Sequence, residues 1–246
     1  MFLPFSAPWL GFVTPLLVRS PTQFAPRPRP TLTSARYARD FNEVKAFGSA
    51  TSTARTAAQT STAVFFSGSA LAQYNAALRD QVKVRHLDIV DAARMFAAID
   101  MSVADVLISV WHTKYVDGFW RPVTAIQLAD TDGNPATTAD PSWTPLLATP
   151  PYPDYPSGYN VVNSTVTHGL ENLFRTRHLQ LTLISTAAPG SSATTTPGGC
   201  CGETSSTPGC GWGSTSASPD TAAREMGRRL AAWTLDHYFQ PVHEKR

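Results

Sequence analysis

Apolar positions recur mostly at three- and four-residue spacing along this chain, which is the mark of helices with one buried face. Thr33 or Ser34 is placed to cap a helix through ARYARDFNEVKAF, and residues 51–68 read as a linker entering a short helix. Amphipathic helices are expected over 69–82 and 87–99, the second with Ile89, Ala93, Phe96 and Ala97 on one face. A further helix starts at Ser102 and ends at Gly118, with Val103, Val106, Leu107, Val110 and Trp111 as its buried stripe. Ser157 opens the next helix, where Val162, Val166, Leu170, Leu173 and Phe174 mark one packed face. HLQLTLIST is a short strand or an extended loop. The last helix is capped by Asp220 and buries Ala223, Met226, Leu230 and Trp233. Strand signals are nearly absent elsewhere, so an all-α helical bundle with long Pro-rich loops is expected.

Two stretches break the pattern. Residues 1–33 are Pro-rich and read as an irregular segment ahead of a single helical domain, 34–246. Residues 1–20 resemble a signal or membrane segment in composition only, because Pro4, Pro8 and Pro15 interrupt a helix and no basic region precedes them. Residues 191–218 interrupt the domain. Of these 28 residues 21 are Ser, Thr, Gly or Pro, too few apolar groups to bury, so disorder is expected there.

Composition narrows the function classes. The net charge is +2 and Lys and Arg are scattered, so there is no nucleic-acid-binding stripe. No run is apolar enough to span a bilayer. Cys200, Cys201 and Cys210 contain no C-x-x-C pair, which leaves neither a zinc site nor a disulfide framework. Asp130, Asp132 and Asn134 raise a calcium-loop reading, but the terminal bidentate Glu is missing and a structural Asp-Gly turn is the expectation. His86, His112, His168, His178, His237 and His243 read as surface, cap or packing residues.

Three features point to an anion. Lys114 and Arg121 flank a Gly-containing turn and can converge on one point, with Phe119 and Trp120 as walls. Ser157 and Gly158 open a helix whose N–H groups and dipole favour negative charge. The long loop that leads from the first pair to the second, 131–158, is dense in Pro, Asp and Gly and is placed to roof the site. A tetrahedral oxyanion calls for this set: Arg as a bidentate fork, Lys as a point charge, and hydroxyl and backbone donors.

Lys114–x6–Arg121-Pro122 followed by Pro156-Ser157-Gly158 resembles the first two motifs of the vanadium-dependent haloperoxidase and type 2 phosphatidic acid phosphatase superfamily. The texts HTKYVDGFWRPVTAIQLADTDGNP, DPSWTPLLATPPYPDYPSG and LDHYFQPVH are similar to its bacterial haloperoxidase-like branch. The resemblance spans about 32–190 and 219–243. It implies a helical bundle whose pocket holds vanadate as cofactor, with phosphate as the competing oxyanion. By match, Lys114 and Arg121 hold equatorial oxygens, Ser157 donates its hydroxyl and Gly158 its N–H. The implied partners are small molecules: hydrogen peroxide and a halide, or a phosphomonoester.

Two departures follow from the same resemblance. The family's acid–base His after Ser-Gly is Tyr159 here, and tyrosine, ordinarily near pKa 10, is a poor proton shuttle at neutral pH. The third motif, an Arg and then the His that serves as axial vanadium ligand or phosphate nucleophile, is due within 191–218, which holds neither. A compensated reading-frame shift accounts for that block, and translation of the other two frames across it tests the idea. The expected function is therefore an impaired haloperoxidase. A phosphomonoesterase and a non-catalytic oxyanion-binding relative are the alternatives, beside a purely structural protein whose anion motif is a relic.

Overall fold

Ser34, Thr56, Ser69, Asp88 and Ser157 each accept a backbone N–H two or three residues downstream, and each begins a helix. The computed structural model describes residues 6–176, 178–195 and 217–240. Its helices are α1 (Ala35–Phe47), α2 (Ala57–Phe66), α3 (Ala70–Val84), α4 (Ile89–Asp117), α5 (Pro122–Gln127), α6 (Gly158–Phe174) and α7 (Ala217–His237). One antiparallel hairpin, β1 (Leu181–Ile184) with β2 (Ser192–Thr195), packs beside α3. The all-α helical expectation holds. No helix among the described residues is long and apolar enough to cross a membrane.

α6 is the axis of the bundle, held between α7 and α4, with α3 alongside. Asn160 to Thr167 are all buried, so this helix is enclosed nearly all round and not on the single face that its apolar spacing suggests. Most of its polar side chains are hydrogen-bonded inside the bundle, which is what permits their burial, although Asn160 Oδ1 has no partner among the described residues. Thr165 and Thr167 donate to the carbonyls of Val161 and Asn163, Ser164 donates to Arg224 O, and Tyr74 donates to Asn163 Oδ1 at 2.6 Å. Gly227 brings α7 against α6, because a Cβ there would stand 2.8 Å from Thr165 N and from Val161 O.

α4 corrects two expectations. The separate helices over 87–99 and from Ser102 are one helix of 29 residues. Ser102 is interior, and its hydroxyl donates to Ala98 O at 2.6 Å in place of capping a new helix. The expected stripe is also rotated: Ile89 is 86% exposed, whereas Met95, Ala98 and Ile99 are buried. Gly118 ends α4 in the left-handed conformation, φ 59°.

Two more corrections lie near the low-complexity block. Ser192–Thr195 forms β2, so that part of 191–218 is ordered by pairing with Leu181–Ile184. α7 begins at Ala217, which puts Asp220 in its first turn and not at the N-cap. The remainder of the block, with all three cysteines, lies outside the described residues, as does His243.

The N-terminal segment is tied to α4 by a carboxylate. Asp105 is fully buried and accepts the N–H groups of Leu16, Leu17 and Val18 at 2.6, 2.7 and 2.8 Å. Three charge-assisted bonds offset the burial of that charge. A short 3-10 helix, Pro8–Phe12, lies directly on α4, where a Cβ on Gly11 would meet His112 N at 2.4 Å.

Candidate functional site

Lys114 sits in the last turn of α4, and Arg121 is the N-cap position of α5, three residues past the Gly118 reversal. The turn therefore sends both cations back toward the loop that precedes α6. The loop meets them with Asp154. Lys114 Nζ donates to the carbonyls of Pro153 and Asp154, both at 2.8 Å. Arg121 Nη1 lies 2.8 Å from Asp154 Oδ1. The Asp154 N–H donates to Phe119 O at 3.0 Å, so this one residue is pinned at three points.

Tyr152 stands against the same pair. Lys114 Nζ is 5.0 Å, and the Arg121 guanidinium carbon 5.6 Å, from the centre of its ring. Cation–π attraction thus orients both charges on one aromatic face. Beyond a cis Tyr155–Pro156 peptide, Ser157 caps α6 and is buried. Its Oγ accepts from Asn160 N at 3.4 Å and lies 3.3 Å from Asn160 Nδ2. The Ser157 N–H donates to Pro219 O at 3.2 Å, which brings the start of α7 to the same place.

Burial governs the electrostatics here. Lys114 is 1% exposed and its pKa is pushed down to about 7, chiefly by desolvation. Asp154 opposes that shift and Arg121 adds to it. Desolvation pushes Asp154 up, against the pull of Arg121 and Lys114. With Lys114 protonated, two cations face one carboxylate, and the cluster carries one net positive charge.

Donors remain after these contacts. Lys114 has three N–H groups and spends two on carbonyls. Arg121 Nε is buried with no acceptor among the described residues. Ser157 Oγ is used as an acceptor, which leaves its proton to give. Lys114 and Arg121 are held at Pro153 and Asp154, a few residues ahead of the first turn of α6, and cations and a helix N-terminus are both of the chemistry that suits an oxyanion.

On one side of this cluster, Trp111 and Tyr152 (ring centres 5.4 Å apart) wall an open cleft of about 390 Å³ with Phe66, Gly158 and Tyr159. On another, Phe119 and Trp120 line a cavity of about 40 Å³ with Tyr37, Asp154 and Pro219. The structure thus brings Lys114 and Arg121 to one loop and places Ser157 and Gly158 at the helix start next to it.

Tyr159 is turned to other work. Its hydroxyl donates to Gln73 Oε1 at 2.5 Å, and its ring packs edge-on against Phe66 at 5.5 Å. The histidines serve elsewhere. His168 pairs with Glu171 at 2.7 Å, His112 Nδ1 lies 2.9 Å from Gly11 O, and His237 stacks on Trp233 at 4.3 Å. His86 and His178 are exposed. Asp132 accepts from Asn134 N at 2.7 Å and from the Thr137 hydroxyl at 2.8 Å, and Asn134 Nδ2 ties the turn to Leu32 O. Those bonds make this stretch a structural turn, as expected.

Asp154 and Tyr152 are the site residues that sequence reasoning passed over. The available signal was an acid in an otherwise uncharged run of proline and tyrosine immediately before Pro156-Ser157-Gly158.

Known proteins resemble this chain in fold and in part of its sequence. The model of the second helical-bundle domain of VCPO matches residues 94–207, a range that contains Lys114, Arg121, Ser157, Gly158 and Tyr159. A vanadium chloroperoxidase of Curvularia inaequalis is 35% identical over 86 residues, covering 31% of this chain and 14% of that protein. The crystal structure described as the first bacterial vanadium-dependent iodoperoxidase superposes with a TM-score of 0.77 at 20% identity, over 96% of this chain and 58% of that one. A holo-type bacterial vanadium-dependent chloroperoxidase gives 0.67 at 17% identity, over 94% and 54%. The chain therefore spans little more than half the length of these solved structures, and a seventh or less of the curated relative.

Proposed function

The chain belongs to the vanadium-dependent haloperoxidase superfamily, and from that premise we propose that it binds one tetrahedral oxyanion, vanadate foremost, between Lys114, Arg121 and the first turn of α6. Phosphate competes for the same donors. The observation that carries the reading is the pair of buried cations with N–H groups left over beside a helix N-terminus. Such donors are stable in a dry interior when an anion completes them.

In this reading Arg121 grips the oxyanion through its fork and Lys114 supplies a point charge. Ser157 gives a hydroxyl proton, and Gly158 lets the backbone approach with its N–H. Bound vanadate supplies the centre at which peroxide is activated and a halide oxidised to a hypohalous species. The protein's own share of proton transfer is weak. Tyr159 is committed to Gln73, and residues 191–218 carry no Arg or His to complete the cradle. Oxyanion binding with impaired halide oxidation is the function we assign. A compensated reading-frame shift over 191–218 remains the proposed origin of the loss.

Halide oxidation by hydrogen peroxide, followed in the presence of vanadate, tests the reading together with vanadate binding. Saturable vanadate binding that Arg121→Ala removes is expected, with turnover close to that of free vanadate. Phosphomonoester hydrolysis above the Arg121→Ala background, without peroxide-dependent turnover, would move the assignment to a phosphatase.

A further inference from the structure

The pocket contains its own anion, and that residue has a task the family motifs do not assign. Asp154 is 2% exposed, and it bridges the two cations: its carbonyl takes Lys114 Nζ and its carboxylate pairs with Arg121 Nη1, each at 2.8 Å. The third pin, its N–H on Phe119 O, holds the carboxylate at that place. The ion pair sets Oδ1 beside Nη1 without a hydrogen bond between them, and both Oδ1 and Arg121 Nε are without a hydrogen-bond partner among the described residues. An oxyanion accepting from Arg121 is therefore held on the same guanidinium as the Asp154 carboxylate.

We propose that Asp154 is a specificity-determining residue that sets the charge of the oxyanion the pocket accepts, favouring a singly charged tetrahedral ion over a doubly charged one. The proposal rests on the oxyanion reading above. Its physics is one of counting. With Lys114 protonated and Asp154 ionised, the two cations and the carboxylate sum to one positive charge, which a monoanion cancels and a dianion overshoots. Each added negative charge on the ligand meets repulsion from a fixed carboxylate in a medium far less screening than water. Vanadate and phosphate carrying two protons are both monoanions of the favoured kind.

Affinity alone does not isolate this effect, because Lys114 responds to Asp154 as well. Removing the carboxylate also removes support for the Lys114 charge. That cost enters the binding of every anion alike, so it cancels in a ratio of affinities. The ratio between a dianion and a monoanion of similar shape reads the Asp154 charge by itself.

The experiment is calorimetric titration of the full chain with sulfate and with perrhenate, at one pH and ionic strength. Wild type is expected to bind perrhenate at least as tightly as sulfate. Asp154→Asn, which preserves shape, is expected to raise the sulfate-to-perrhenate affinity ratio by about tenfold or more, from one charge at pocket distance in an intermediate dielectric. Asp154→Glu, which restores the charge, is expected to return the ratio toward wild type. A ratio unchanged within twofold in Asp154→Asn overturns the proposal, and so does a strong sulfate preference in wild type, a result that needs no variant to fold. Wild type binding neither ion would count against the oxyanion reading itself, a separate outcome.

Discussion

The Tyr159 hydroxyl donates to Gln73 Oε1 across 2.5 Å, joining α6 to α3 beside the candidate pocket. Gln73 is itself buried, and its amide nitrogen donates to Phe65 O at 3.1 Å. The phenol is thus part of a chain of bonds that fixes three helices, not a group poised to exchange protons. Tyr159→Phe leaves Gln73 Oε1 without its donor and is expected to cost about 1–2 kcal/mol. Urea denaturation measures it, and vanadate affinity should change by less than about twofold.

Lys114 gives stability a pH dependence of definite sign. Its folded pKa, about 7, lies below the ordinary 10.5. Between those values the unfolded chain binds more protons than the folded one, so stability rises with pH across that window. Asp154 acts in the opposite sense from its ordinary 3.8 upward, because its folded pKa is raised. The difference between wild type and Lys114→Met isolates the lysine. Thermal midpoints at pH 7 and pH 9.5 should rise in wild type relative to that variant.

Anion binding runs the other way. An oxyanion favours protonated Lys114, so the affinity for sulfate, whose charge is constant over the range, should fall above pH 7. The slope should approach one proton per anion, about tenfold per pH unit. In Lys114→Met the affinity should be lower and flat with pH.

Asp105 anchors the N-terminal segment through three backbone amides. Asp105→Ala strands those donors, and a loss of about 2–4 kcal/mol is expected from charge-assisted bonds in a buried place. The same segment reaches the cleft wall, since Trp111 Nε1 donates to Ser6 O at 3.2 Å. Faster proteolysis within residues 6–18 should accompany the loss of stability.

Gly227 is the point where α7 touches the backbone of α6. A methyl group has no room there, because two of the atoms it meets belong to main chain. Gly227→Ala should cost about 2–3 kcal/mol through overpacking, measured by denaturant midpoint. It should also weaken vanadate binding, since α7 delivers Pro219 O to the Ser157 N–H.

Much of the bundle was legible because its helices carry their own punctuation. Ser34, Ser157 and Gly118 are caps that any chain must place at helix ends, and the structure uses each as read. The break expected before Ser102 was a false stop: a serine that bonds back to Ala98 O suits a helix interior as well as a cap. β2 was hidden because a run of Ser, Ala and Thr has no apolar signature, and its partner Leu181–Ile184 supplies the buried side chains. The rotated stripe of α4 shows that apolar spacing gives a period without a phase when Ile89 is free to face solvent. At the site, local motifs marked the two cations and the helix start. Asp154 was not marked, because only the folding of a loop onto α4 turns a lone acid into the partner of both.

Equilibrium dialysis against vanadate tests the central claim most directly, with the wild type and Arg121→Ala side by side and excess phosphate as competitor. The account expects one vanadate retained per wild-type chain, displaced by phosphate, and retention lost in Arg121→Ala. Equal retention by the two proteins, or none by the wild type, would contradict it.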